Sequence, residues 1–352
     1  MSWARVLATL VLAVAAAGLC VALRTPIPWM LGPLLATSLV TVLGARTESW
    51  APLRNGGQWV IGSALGLYFT PAVGTLIAGL WWAILAGIAW ALLLGLAFGA
   101  WLHRVHAGLV PDATAAQWRA TTYFAGAIGG ASEMTLIAER QGARTDLVAA
   151  AHSLRVLLVT VVVPFAVTGW GIAGLEPVPA GVRVVDPAGL AVLGAATGAA
   201  ALAMQALGRT NPWFMGALAA AMALTLSGVN LSAIPTPLSN AAQLAIGVSL
   251  GVRFTPDFVQ AAPRWLASVA LATLAMMALC AGFALVLARL SSLHPATLVL
   301  GTSPGGIAEM AITAKVLQLG VPVVTTFQVC RLVAVLVLAE PLYHRWVARR
   351  GG

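Results

Sequence analysis

The stretch LRNGGQWVIGSALGLYFTP, residues 53–71, returns at residues 238–256 as LSNAAQLAIGVSLGVRFTP, without a gap and with 10 of 19 positions identical. Asn55/Asn240, Gln58/Gln243, Gly62/Gly247, Gly66/Gly251 and the closing Phe-Thr-Pro all recur at one offset. The echo continues on both sides. Upstream, Pro28-Trp29-x-x-Gly32 returns as Pro212-Trp213-x-x-Gly216. Downstream, Gly129-Gly130-x-x-Glu133-Met134 returns as Gly305-Gly306-x-x-Glu309-Met310, and at the same spacing Arg155 falls on Arg331. The chain therefore reads as a tandem duplication, a first repeat over residues 1–180 and a second over residues 181–352.

What is repeated is apolar. Of 352 residues, 60% are hydrophobic and 8% charged, and the mean hydropathy is +0.94. Soluble domains carry about 25% charged residues. That excludes a soluble enzyme, a disordered chain and a disulfide scaffold. Unbroken apolar runs exclude a transmembrane barrel, whose strands alternate. The composition predicts an all-α, polytopic transmembrane helical bundle. Six runs suit a full crossing, at residues 3–23, 74–101, 147–170, 187–207, 266–289 and 322–343. Shorter or Gly-interrupted runs at 28–44, 56–72, 120–138, 212–228, 240–255 and 295–318 bring the expected total to 10–12 spans. Five spans per repeat would invert the second repeat and six would keep it parallel; the sequence leaves both open. Residues 174–187, rich in Pro and Gly, read as the linker.

The first 23 residues look like a signal peptide, but Leu19 is too large for the position before a lipoprotein cysteine, and the segment has a counterpart later in the chain. It reads as an uncleaved first span. The net charge of +9 is scattered singly between apolar runs, with Lys315 the one lysine, so it does not describe a nucleic-acid surface. The positive-inside count over the whole chain is indecisive, but Arg345, Arg349 and Arg350 directly after the last run favour a cytoplasmic C-terminus. Cys20, Cys280 and Cys330 lie in apolar runs and read as packed free thiols. His103 and His106 read as loop residues.

Chemistry should sit where charge or irregular backbone is retained in apolar surroundings. Glu133 and Glu309 are such carboxylates, costly at bilayer depth. They read either as a substrate, cation or proton site, or as structural carboxylates capping a helix start. Gly129, Gly130, Gly305 and Gly306, with Pro304, argue for helices broken near the midplane, a pointer to a transporter site. Close helix packing is the plainer reading of the glycines. Arg155 and Arg331 in the following spans should snorkel or pair with a carboxylate, Glu133 and Glu309 being the nearest candidates. Asn55 with Gln58, and Asn240 with Gln243, share helix faces and suit either a cavity wall or interhelical hydrogen bonds. No metal-ligand cluster, cofactor motif or nucleophile motif is present.

The combination of the Pro-Trp-x-x-Gly element, the Asn-x-x-Gln…Phe-Thr-Pro block and the Gly-Gly-x-x-Glu-Met block followed by an Arg-bearing span resembles the AbrB family of bacterial membrane proteins, over nearly the whole chain. The resemblance implies two copies of one membrane module in the bacterial cytoplasmic (inner) membrane. Some members carry a monooxygenase label, others a regulatory one. Five dispersed histidines do not supply an oxygenase metal site, and there is no basic soluble module for direct DNA binding. The expectation is a non-enzymatic secondary transporter without cofactor, in contact with the lipid bilayer. A small-molecule or ion substrate would bind between the repeats near Glu133 and Glu309, coupled to H⁺ or Na⁺, and a homo-oligomer is an allowed assembly. The alternative is a membrane sensor affecting gene expression.

Overall fold

The computed structural model describes residues 2–107, 114–171, 184–256 and 262–347. Among them every regular element is helical. In chain order they are α1 Trp3–Ala22, α2 Pro28–Val42, α3 Ala51–Gly66, α4 Pro71–Gly79, α5 Trp81–Val105, α6 Ala115–Gly126, α7 Ala131–Arg140, α8 Thr145–Gly169, α9 Pro187–Ala206, α10 Pro212–Leu226, α11 Thr236–Gly251, α12 Pro263–Ser291, α13 Pro295–Thr302, α14 Ile307–Val316 and α15 Val321–Leu342, closed by a π turn Tyr343–Val347. Most of the expected linker, the expected repeat boundary and the terminal Arg349 and Arg350 lie outside the described residues.

Local rules set many of the boundaries. Proline stands first in α2, α9, α10, α12 and α13 and second in α3 and α11, where its missing N–H costs nothing. Asp186 caps α9 by accepting from the Gly189 amide at 2.6 Å, and Thr114 caps α6 through Gln117 at 3.1 Å. Before α2 and α10 the chain enters through a left-handed residue, Ile27 at φ 40° and Asn211 at φ 47°. Asn tolerates that conformation; a β-branched residue ahead of proline is strained there, and Ile27 is held by complete burial.

Six helices, α1, α5, α8, α9, α12 and the segment Val321–Arg345, are long and apolar enough to cross a membrane, and a seventh if α3 and α4, bent by 85°, count as one span. The chain is a multi-pass membrane protein. Five of these match long runs of the sequence; the run 74–101 is instead divided, its first residues ending α4 and the rest forming α5. The remaining runs are not continuous full-length helices: α2 and α10 have 15 residues each, about 22 Å against a hydrocarbon core of about 30 Å, and runs 120–138 and 295–318 are each broken into two helices. Leu7, Val11 and Val14 on α1 and Leu271, Leu279 and Val286 on α12 are exposed, as a lipid-facing surface requires.

The chain forms two compact units. The first comprises Met1–Gly79, Val163–Asp257 and Ala308–Thr325; the second comprises Leu80–Val162, Phe258–Ile307 and Thr326–Gly352. Each draws on both sequence halves.

In the first unit α3 packs on α10, α11 on α2, and α3 on α11. Glycines let the backbones meet. A Cβ at Gly62 would stand 2.5 Å from the Phe214 carbonyl oxygen, and one at Gly247 2.6 Å from that of Met30. Gly57 faces Ala242, its own counterpart in the other copy of the motif, at the α3–α11 crossing. Trp59 Nε1 donates to Thr197 Oγ1 at 2.8 Å, tying α3 to α9. Thr197→Val should lower thermal stability in detergent by about 0.6 kcal/mol, the usual size of an interhelical bond within a membrane protein.

In the second unit Trp265, Phe124, Met134, Val148 and Val269 build the core with α5, α6, α8, α12 and α15. Trp265 Nε1 donates to the Leu147 carbonyl at 3.2 Å, and Tyr123 Oη to that of Ala339 at 2.7 Å.

Candidate functional site

Both glycine-rich signals fall on helix breaks, and both breaks lie in the second unit. The first separates α6 from α7 at Ala127–Gly130; Gly130, extended at φ −68° and ψ 141°, is the N-cap of α7. The second separates α13 from α14 at Ser303–Gly306 and contains Pro304. Glu133 and Glu309 are each the third residue of the helix that restarts, in the first turn. A carboxylate there opposes the positive end of the helix dipole. A side chain at Gly130 would collide with Glu133 Oε2, so the glutamate folds back over the helix start. Glu133 is half-buried and Glu309 buried. Arg253 is the cation whose charge acts on Glu309.

The other side of each break is governed by arginine. Arg155 Nη2 donates to the Ala127 carbonyl at 2.8 Å, and Nη1 lies 3.3 Å from that of Gly126. Arg331 Nη1 donates to the Ser303 carbonyl at 2.5 Å and Nη2 to Gly305 at 2.7 Å. The carbonyls at a helix C-terminus lack intrahelical donors, and each guanidinium supplies them. The pairing expected from sequence, Arg155 with Glu133 and Arg331 with Glu309, is replaced by this capping: several carbonyls offer a planar guanidinium more acceptors than one carboxylate does.

The residue three before each arginine does the same work. His152 Nε2 lies 2.9 Å from the Phe124 carbonyl, and Gln328 Nε2 donates to that of Leu300 at 2.7 Å. His152 Nδ1 meets Arg155 Nη2 at 2.6 Å, so the ring is neutral with its proton on Nε2. Sequence reasoning passed over His152 and Gln328 because they differ in identity. Their common spacing from Arg155 and Arg331 was the available signal.

The breaks differ in packing. At the first, α5 closes against the backbone: a Cβ at Gly126 would lie 2.5 Å from the Gly99 nitrogen and 2.6 Å from the Gly95 oxygen. At the second, Thr302 Oγ1 reaches the Cys280 carbonyl of α12 at 3.5 Å, and polar atoms remain unmatched.

The expected site residues divide between the units. Gly129, Gly130, Glu133, Arg155, Gly305, Gly306 and Arg331 belong to the second; Asn55, Gln58, Asn240, Gln243 and Glu309 belong to the first. The four amides flank the α3–α11 crossing, with Gln243 buried and the other three half-buried. Lys315 Nζ, also in the first unit, donates to Ser239 Oγ at 3.2 Å. His103 and His106, expected in a loop, sit on the last turn of α5 and at its C-cap, where His106 packs edge-on against Trp265. Among the described residues no three His, Cys, Asp or Glu side chains cluster as metal ligands would.

Comparison with known proteins agrees with this architecture in extent. The family model for AbrB, described as "Transition state regulatory protein AbrB", matches residues 29–347. The chain is similar to "Uncharacterized protein YhjN" of Bacillus subtilis (strain 168), 24% identical over 342 residues, covering 90% of this chain and 87% of that protein. It is also similar to "Putative regulator AbrB" of Escherichia coli (strain K12), 27% identical over 336 residues, covering 93% and 92%. None of these names describes a reaction. No solved structure matches. A membrane-embedded chain matched by this family model over nearly its whole length belongs to the AbrB family.

Proposed function

We propose that the protein is a secondary transporter of a small molecule, residing in the bacterial cytoplasmic membrane with its C-terminus inside and its substrate held at the two helix breaks. One observation carries the reading: two helix breaks, Ala127–Gly130 and Ser303–Gly306, one from each half of the sequence, lie in one compact unit, and at each an arginine supplies donors to the carbonyls of the helix that ends there. Non-helical backbone at membrane depth is costly unless it lines a functional cavity or is buried in protein. That the break recurs in both sequence halves supports a use in binding. Glu133 and Glu309, at the starts of the second half-helices, would hold the coupling H⁺ or Na⁺ while the substrate occupies the breaks.

The test is flux of a compound library in proteoliposomes. The wild type should accumulate or release a substrate when a proton or sodium gradient is imposed. Glu133→Gln and Glu309→Gln should each lower that flux by about tenfold or more, in keeping with the few kcal/mol attached to a membrane-embedded charge. Unaltered flux in both variants would remove the glutamates from the mechanism.

The regulatory wording of the family description and of the Escherichia coli relative favours a second reading, a membrane sensor acting on gene expression through a partner. A wild type with no flux for any compound, together with altered transcription on deletion, would select it.

A further inference from the structure

At one end of the second unit stands an arginine that no acceptor of the protein uses. Arg119 lies on α6. Its Nε is buried without a partner, and no described hydrogen bond or ion pair involves its side chain. A guanidinium keeps its charge at any working pH, so it cannot relieve that burial by losing a proton.

Contacts on both flanks fix its surroundings. Thr122 and Tyr123, three and four residues on, share the Arg119 face of α6. His103 of α5 reaches Thr122 Oγ1 through Nδ1 at 3.4 Å. Tyr343 of the π turn packs on Tyr123, ring centroids 5.4 Å apart. His103 and Tyr343 both lie within range of the Arg119 charge. Among the described residues His103 Nε2 and Tyr343 Oη have no hydrogen bond. The three side chains therefore head one groove, with α6 as its floor, α5 on one flank and α15 with its π turn on the other. Deeper in, the same faces are apolar. Leu96 and Leu92 stand seven and eleven residues before His103, and Ala339 and Val335 four and eight before Tyr343, which keeps each set on one side of its helix. With Tyr123 these residues line a common cleft. Exposed Leu85 and Leu93 on α5 and Val333 and Val337 on α15 continue outward as lipid-facing surface.

The charge balance gives the sign of what fits there. Arg144 N donates to Thr121 Oγ1, Trp265 Nε1 to the Leu147 carbonyl and Gln141 to Glu340. These contacts gather Arg104, Arg119, Arg140, Arg144, Arg264 and Arg345 at one end of the unit, against Glu139, Asp146 and Glu340. Counting Glu133 as well, at the opposite end of α7, leaves the described balance positive. Asp146 is held by Arg144 at 2.7 Å and Glu340 by Gln141 at 2.8 Å, and Glu139 is exposed.

We propose that Arg119 and Tyr343, flanked by His103, form the headgroup site of one bound anionic glycerophospholipid. The Nε–H of Arg119 with an adjacent Nη–H makes the side-on fork that a phosphate accepts, and Tyr343 Oη donates to a further phosphate oxygen. The last turn of α5 and the turn after α15 end crossing helices, the level at which headgroups meet Tyr and Arg side chains. The acyl chains lie along the exposed apolar faces of α5 and α15. That surface favours a lipid over a free phosphate.

The experiment is native mass spectrometry and thermal unfolding of the purified, delipidated full chain in detergent, titrated with phosphatidylglycerol, phosphatidylcholine and glycerol phosphate. Phosphatidylglycerol should bind saturably and raise Tm, at least about tenfold more tightly than either of the others. Arg119→Gln should remove that preference, a loss of about tenfold for one charge-assisted fork. Tyr343→Phe removes only a hydroxyl that the protein does not use, so it should weaken binding severalfold with the lipid-free Tm nearly unchanged. Arg104→Gln, exposed and one position around α5, should alter binding less than about twofold. Equal affinity for phosphatidylcholine overturns the assignment, as does an equal loss in the Arg104 and Arg119 variants, which would mean diffuse surface charge. Glycerol phosphate binding as tightly as phosphatidylglycerol would make the ligand a free anion, and binding unaltered in both Arg119→Gln and Tyr343→Phe would place the lipid elsewhere; either result overturns the assignment. The site stands or falls apart from any measured flux.

Discussion

Gly57→Ala and Gly62→Ala should each cost the protein much of its stability, while Gly56→Ala, beside the first of them, should stabilise it by up to about 1 kcal/mol. All three lie in α3, where alanine is the better helix former by about that amount. The difference is what the added methyl meets. At Gly56 there is nothing within 4 Å. At Gly57 it would lie 2.8 Å from the Ala242 carbonyl oxygen, and at Gly62 2.5 Å from that of Phe214 and 3.2 Å from the Ala217 methyl. Backbone cannot rotate out of the way as a side chain can, so α3 must move off α10 or α11. Gly66 holds it there a turn later, against the Ala221 methyl at 2.5 Å. Overpacking costs about 1–3 kcal/mol when the structure yields a little and more when it does not. Thermal unfolding of the three variants in detergent, run side by side, checks both signs. The second motif copy already has alanine, Ala241, at the position of Gly56. A neutral or stabilising Gly62→Ala would mean that α3 and α10 do not meet as closely as described.

Arg155→Met should be at least as damaging. It removes the donors of three carbonyls, Ala125, Gly126 and Ala127, in a place water does not reach. Taking one member from a buried charged network costs about 3–5 kcal/mol. Loss of folded, monodisperse protein on size exclusion is the expected result. His152→Gln should be mild by comparison, because Gln328 performs the same donation at the second break. If Arg155→Met folds and unfolds like the wild type, the capping role is wrong.

The long crossing helices were legible because an apolar run of 20 residues or more has one cheap solution in a bilayer. The breaks were legible because glycine and proline interrupt that solution at Gly129–Gly130 and Pro304–Gly306. The partners of Arg155 and Arg331 were not. A carboxylate is visible in sequence as a letter of opposite charge, whereas a backbone carbonyl has no letter, and its availability depends on where a helix ends. His152 and Gln328 were hidden for a related reason, since donation to a carbonyl can be done by either side chain. The division of Asn55, Gln58, Asn240, Gln243 and Glu309 from the other site residues was equally out of reach, because the compact units do not follow the order of the chain.

That interleaving has a consequence for how the protein is made. Residues 51–66 leave the ribosome well before residues 212–226, the helix that fills the groove presented by Gly62 and Gly66. Non-local pairings of this kind close late and slowly. Until then the small-residue face of α3 must wait in lipid, open to a wrong neighbour. The nascent first half is thus an incomplete piece of both units, and its correct assembly depends on the insertion machinery delivering the second half before a competitor arrives.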